Sequence, residues 1–248
     1  MESSRPVVVL QNLSADGPGY LGTWLAEQGI AFDVFDAEAG NPYPWSIAGY
    51  RALALLGGEM SANDDLPSLR QAERLILQAI DADIPVIGHC LGGQLMARAL
   101  GARVIASPKP EIGWQAMQVA DTPAARRWFG EPGERIVYHW HGESFELPAG
   151  AELLAGNASC PHQAFAIGRH LALQFHVELD ACKLAAWSAS CDPSFVRLQR
   201  EYPATVQTGA AMRAQAGTAL PAQLRLADRM YGRWLGIASP ARFHDRGP

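Results

Sequence analysis

The chain has 248 residues, 48% hydrophobic and 18% charged, with a formal charge of −5; it can bury a sizeable core and is not composed like a disordered chain. No basic run is present, which argues against nucleic acid as the main partner, and no segment approaches the ~18 apolar residues of a membrane span. Four cysteines (Cys90, Cys160, Cys182, Cys191) lack CxxC spacing, and MESSRPVVVLQN is too short in its apolar run for a secretion signal, so a cytoplasmic protein with reduced thiols and no zinc cluster is expected.

Val7 to Leu10 is an apolar, β-branched run, the pattern of a strand buried on both faces. A loop with Gly17, Pro18 and Gly19 leads into a helical pattern from Tyr20 to Gln28, stopped by Gly29. Ala31 to Phe35 reads as a strand, 39–50 as a loop, and Ala52 to Leu56 as a third strand ending in Gly57-Gly58. Leu66 to Ala82 is an amphipathic helix, and Ile84 to Ile87 a fourth strand running into a helix that carries Leu95, Met96, Ala99 and Leu100 on one side. The middle carries short strand candidates at 104–105, 114–119, 135–139, 153–156, 164–167 and 172–175, with one short helix at 124–129. After Glu178 the pattern is helical to about Leu235, with interruptions expected near Pro193, Pro203 and Pro221, and residues 239–248 are expected to fray. Strands alternating with helices predict an α/β fold: a flavodoxin-like open, mostly parallel sheet with helices on both faces, a mixed or antiparallel flank and a C-terminal helical extension.

Gly88-His89-Cys90-Leu91-Gly92 has the spacing of a nucleophile elbow, G-x-nucleophile-x-G. A sharp strand-to-helix turn strains the nucleophile's backbone and demands small neighbours. It lifts the side chain to the carboxyl edge of the sheet, where open α/β folds bind ligands. The Leu91 amide would face a developing oxyanion, and the Gly58 amide would be the second donor if the glycine pair is more than an ordinary turn. The alternative for Cys90 is a buried structural thiol.

A cysteine nucleophile needs a base, and the base an orienter. His176 and Glu178 lie two apart just past a strand, so an extended backbone would turn both toward one site. They could equally be a surface pair at a strand end. His89 is a competing base, but a residue next to the nucleophile in a tight elbow points away from it. His139 and His141 also alternate onto one face; a metal there lacks a third ligand at a telling spacing, and none is expected.

Together these pieces resemble the class I, triad-type glutamine amidotransferase family. The family's P-V-x-G-x-C-x-G-x-Q is matched by Pro85 to Gln94, its Q-F-H-P-E by Gln174-Phe175-His176-Val177-Glu178, its glycine pair by Leu56-Gly57-Gly58-Glu59-Met60, and its W-H-x-D by Trp140-His141-Gly142-Glu143. The matches run in family order over about residues 5–180, and Glu111-Ile112-Gly113-Trp114 is like a segment of stand-alone members similar to the glutaminase domain of GMP synthetase. Two positions depart from the pattern: Val177 stands for proline, and Gly93 for a larger residue, widening the pocket near Gln94.

The resemblance implies an amidotransferase domain over 1–180, with 181–238 a helical extension packed on it and 239–248 a tail. It implies a Cys90–His176–Glu178 triad, an oxyanion hole from Gly58 and Leu91, and glutamine held by Gly57, Gln94 and the backbone of His141, Gly142 and Glu143. No cofactor is implied. No nucleotide loop of the GxxxxGK[ST] type follows Glu178, so ammonia would pass to a separate acceptor or synthetase subunit. A stand-alone γ-glutamyl hydrolase or peptidase would use the same triad on a γ-glutamyl compound. A non-catalytic binding protein is the third reading, against which the intact triad argues.

Overall fold

A computed structural model describes residues 5–237; the tail expected to fray, 239–248, lies outside them. In chain order the elements are β1 (Val7–Gln11), α1 (Tyr20–Glu27), β2 (Phe32–Asp36), β3 (Ala52–Leu55), α2 (Pro67–Asp81), β4 (Val86–His89) and α3 (Leu91–Ala99). There follow β5 (Val104–Val119), α4 (Pro123–Phe129), β6 (Gly133–Phe145), β7 (Glu152–Gly156), β8 (Ala164–Ile167), β9 (His170–Leu173), α5 (Ala181–Ser188), α6 (Pro193–Glu201) and α7 (Gly209–Leu235).

One sheet orders its strands β2-β1-β3-β4-β9-β8-β7-β5-β6. The first five are parallel neighbours and the rest pair antiparallel. β1, β3, β4 and β9 are buried at every position, as their unbroken apolar runs require once helices cover both faces. On one face Trp24, Trp128, Leu226, Tyr231 and Trp234 bring α1, α4 and α7 onto the sheet. On the other, Leu69, Leu75, Ile76, Leu95 and Met96 seat α2 and α3. A third cluster joins Ile112, Trp114 and Tyr138 to Leu184 of α5, Phe195 of α6 and Met212 of α7. Each such side chain contributes about 1.5–3 kcal/mol of transfer free energy when buried. Among the described residues no helix is long and apolar enough to cross a membrane.

Three expectations change. Val104-Ile105 and Trp114–Val119 belong to one strand, β5; its register against β6 shifts between Ala106 and Glu111, so Pro108 and Pro110 fall in a bulge where no ladder donor is needed. Pro221 does not interrupt a helix: α7 runs through it. Both Pro221 and Gly217, whose carbonyl loses its i+4 donor, are exposed, so water can take the place of the missing bond. Finally, the chain leaves β9 at Leu173, and residues 174–178 form bends and a turn, where an extended segment reaching Phe175 was expected.

Candidate active site

The turn from β4 into α3 is held by close backbone packing. A Cβ on Gly88 would lie 2.5 Å from the carbonyl of Gly92, and one on Gly92 would lie 2.5 Å from the carbonyl oxygen of Leu55. Between them Cys90 adopts φ +50° and ψ −108°, a region that side-chain-bearing residues occupy only when their surroundings enforce it. Here the Cys90 amide donates to the Leu173 carbonyl at 2.9 Å and its carbonyl accepts from the Gln94 amide at 3.0 Å. Gly93 does not widen a pocket: a Cβ there would lie 2.5 Å from the Leu173 carbonyl oxygen, so this glycine lets α3 settle against β9.

The Cys90 sulfur sits 3.7 Å from the Trp140 carbonyl oxygen and 3.6 Å from the side-chain amide of Gln174. His176 Nδ1 and Glu178 Oε1 are 2.6 Å apart, both residues buried. That leaves Nε2, which has no well-aligned hydrogen-bond partner among the described residues, as the nitrogen available to the sulfur. Burial opposes charge on the His176 ring, but the Glu178 carboxylate and the nearby Cys90 sulfur outweigh it and push its pKa up to about 10. Burial likewise opposes charge on Glu178; His176, His89 and Lys183 win, and its carboxyl is held far below the ordinary range. His89, the competing base, is engaged elsewhere: Nδ1 lies 3.1 Å from the Leu55 carbonyl and Nε2 3.3 Å from the Tyr231 hydroxyl.

The 174–178 segment is tied by four neighbouring elements. The His176 amide donates to Tyr138 O at 2.9 Å and the Glu178 carbonyl accepts from the Tyr20 amide at 2.9 Å. Gln223 of α7, itself buried, donates to His176 O at 3.0 Å and accepts from the Tyr138 amide at 2.7 Å. The Trp187 ring of α5 stands edge-on to the imidazole, centroids 4.9 Å apart.

Gly58 lies against the elbow: a Cβ on it would be 2.8 Å from Leu91 Cδ2, and one on Gly57 would be 3.0 Å from His176 Cε1. Neither the Gly58 nor the Leu91 amide finds an acceptor among the described residues. Asn12 fixes the two peptides leading to Gly58, donating to Leu56 O at 3.2 Å and Gly57 O at 2.9 Å, and is itself reached by the Tyr43 hydroxyl at 2.9 Å. Gln94 donates to Glu143 O at 3.1 Å and to Gln174 Oε1 at 3.3 Å, which ties α3 to β6. The Glu143 carboxylate accepts from Ser61 at 2.8 Å, Gly142 borders open space, and the His141 ring turns to Glu111 at 3.3 Å, leaving its backbone as the part available to a ligand.

Asn12, Gln174, Trp187 and Gln223 were not assigned to the site from sequence. Gln174 lay within the matched Q-F-H motif; the other three carry no local signal and reach the site only through tertiary packing. Beside β6, Glu111, His139 and His141 form a separate buried cluster whose ligand atoms all lie within 4.8 Å of one another. Burial there brings the His139 pKa down to about 3 against the pull of Glu111.

A thiol on a strained elbow, with unpartnered amides at Gly58 and Leu91 and a carboxylate-anchored imidazole nearby, has the groups needed to attack a carbonyl and protonate its leaving group. Comparisons with known proteins identify the family. The family model for class-I glutamine amidotransferases matches residues 24–182. YfeJ of Salmonella typhimurium, named as glutamine amidotransferase-like, is 30% identical over 172 residues, 66% of this chain and 72% of that protein. The glutamine-hydrolyzing GMP synthase of Thermomicrobium roseum is 34% identical over 131 residues, 52% of this chain but 23% of the synthase. The crystal structure of a glutamine amido transferase from Methylobacillus flagellatus superposes with a TM-score of 0.86 at 33% identity, covering 99% of this chain and 100% of that one. A glutamine amidotransferase from Thermotoga maritima gives 0.81 at 25% identity, covering 94% and 98%. With the matched segment spanning both the elbow and the His176–Glu178 pair, the chain belongs to the class-I glutamine amidotransferase family.

Proposed function

We propose that the protein hydrolyses the γ-carboxamide of glutamine through a cysteinyl γ-glutamyl thioester and passes the ammonia to an acceptor on a separate subunit. The observation that carries this reading is Cys90 at φ +50° on the elbow, beside an imidazole anchored to Glu178 at 2.6 Å. The Cys90 thiolate attacks the γ-carbon, and the oxyanion is received by the Gly58 and Leu91 amides. The intermediate collapses as His176 gives its proton to the departing nitrogen, releasing ammonia. Water, giving a proton to the now neutral His176, then cleaves the thioester to glutamate and restores the thiolate–imidazolium pair. Gly57, Gln94 and the backbone of His141 to Glu143 border the elbow and serve the α-amino and α-carboxylate end of the substrate. All four cysteines are free, which suits a reducing cytoplasm.

A second reading, a stand-alone γ-glutamyl hydrolase or peptidase, draws on the aromatic wall beside His176. Trp187 meets Trp140 at 5.7 Å between centroids, and Trp140 meets Phe195 at 5.0 Å. Because His176 protonates the leaving nitrogen, these rings flank the side where an N-substituent would lie.

Incubation with glutamine and with N-substituted γ-glutamyl amides, following glutamate release, separates the two. Ammonia from free glutamine supports the amidotransferase; turnover of the substituted amides alone supports the hydrolase. Silence with both, together with no labelling of Cys90 by a glutamine-like electrophile, would overturn catalysis altogether.

A further inference from the structure

The spacing of His139 and His141 offered two ligands and no third; the strand ladder supplies one. Glu111 of β5 lies directly opposite His141 of β6, and His139 is two residues further along the same strand, so all three side chains share one face of the sheet. The cluster is sealed: Glu111 is 1%, His139 0% and His141 6% exposed. None of the four ring nitrogens makes a well-aligned hydrogen bond among the described residues. His141 Nε2 lies 3.3 Å from Glu111 Oε2, and the Gln115 backbone is a weak partner of the His139 ring.

Glu111 is oriented from behind. Asn157 donates to Oε1 at 2.7 Å and Gln163 to Oε2 at 2.6 Å. Among the described residues no lysine or arginine pairs with this carboxylate. A buried carboxylate without a cation, next to imidazoles with uncommitted lone pairs, is poorly satisfied as a structural network. It is the donor set of a divalent metal site, with the orienting hydrogen bonds that such ligands require.

We propose that Glu111, His139 and His141 bind one divalent first-row transition ion, zinc by preference, with water completing its coordination. Two imidazoles and a carboxylate suit zinc. Ligands about 2.0–2.1 Å from a tetrahedral ion stand roughly 3.4 Å apart, close to the His141–Glu111 separation, and a small turn of the His139 ring closes the set. The ion would pin β6 where its backbone meets the catalytic groups: Trp140 O faces Cys90 Sγ at 3.7 Å, and Tyr138 O accepts from the His176 amide at 2.9 Å.

The test uses protein with Cys90, Cys182 and Cys191 each changed to Ala, so that neither the thiol on the elbow nor the two exposed thiols can take the ion. After treatment with a chelator and dialysis, it is titrated with zinc and, separately, with cobalt(II). One equivalent of zinc retained through a second dialysis, a raised Tm, and cobalt d–d bands without sulfur charge-transfer absorption are expected. In the same background Glu111→Gln, His139→Asn and His141→Asn each remove retention, and Gln163→Leu, whose side chain makes no hydrogen bond among the described residues other than the orienting one to Glu111, weakens binding about tenfold. Should the ligand variants fail to fold, the parent titration and Gln163→Leu decide. No retained ion and no change in Tm would overturn the site; so would full retention in folded ligand variants, or a sulfur charge-transfer band.

Discussion

Glu178 shows how much of the site depends on one buried charge. It sits at the His176 imidazole at 2.6 Å, fixing the ring and sustaining its proton. Changing Glu178→Gln keeps the shape and removes the charge, so kcat for glutamate release should fall roughly 10³–10⁴-fold, the scale seen when a triad carboxylate is amidated, with the protein still folded. A loss under tenfold would mean that Glu178 does not orient the base. The same pair predicts a pH dependence of stability. His176 has its folded pKa raised from 6.5 to about 10, so its contribution is complete below about pH 6.5 and is lost as pH rises toward 10. Glu178 has its folded pKa lowered from 4.5, so its contribution is complete above that value and is lost only as pH falls through the lower, folded one. The difference in Tm between wild type and Glu178→Gln should therefore be widest between about pH 4.5 and 6.5 and narrow toward pH 10. A gap that widens in alkali would show that His176 is held neutral.

At the scale of elements, α7 is the piece whose role was least visible in advance. Its apolar pattern announced a helix docked on the sheet, and Tyr231, Trp234 and Leu226 do that. That Gln223 would clamp both the His176 carbonyl and the Tyr138 amide depends on where a helix far along the chain comes to rest, and no local spacing encodes that. Proline was the element-scale cue read too strongly. Residues 106–113 read as lying between two strands and belong to one, with Pro108 and Pro110 at its bulge; Pro221 suggested a break and lies inside a helix. In both cases the missing donor falls where no ladder or core group demands it. Pro221→Ala should accordingly restore an i→i−4 bond on the exposed face of α7 and raise stability by about 1–3 kcal/mol, with glutamate release unchanged. An unaltered or lowered Tm would mean that the proline's rigidity, not its lost bond, governs this stretch.

At the scale of the molecule, the parallel half of the sheet was legible because its central strands are mostly apolar and its elbow glycines are forced by contact. The antiparallel half was legible only as fragments: β6 alternates His139, Trp140 and His141 through a stretch that mixes polar and apolar burial, and its pairing with β5 sets the Glu111–His141 contact. The residues proposed as the triad were readable individually, but the placement of His176 and Glu178 rests on a turn at 174–178 and on helices packed from the C-terminal third. One tie between that third and the sheet can be weighed directly. Lys183 of α5 reaches Asp16, in the loop after β1, at 2.5 Å, with side chains 9% and 12% exposed. The same helix carries Trp187 to the imidazole, and Asp16 Oδ2 lies 3.8 Å from where a Cβ on Gly57 would stand. Removing one partner leaves an uncompensated buried charge, so Lys183→Met should cost about 3–5 kcal/mol, whereas Lys183→Met with Asp16→Asn should recover most of it. If the pair only adds stability, kcat per folded molecule will match wild type in the double variant. If it sets the position of α5, kcat will stay depressed after stability returns, because Trp187 is no longer held against His176. A single variant as stable as wild type would remove the tie from either role.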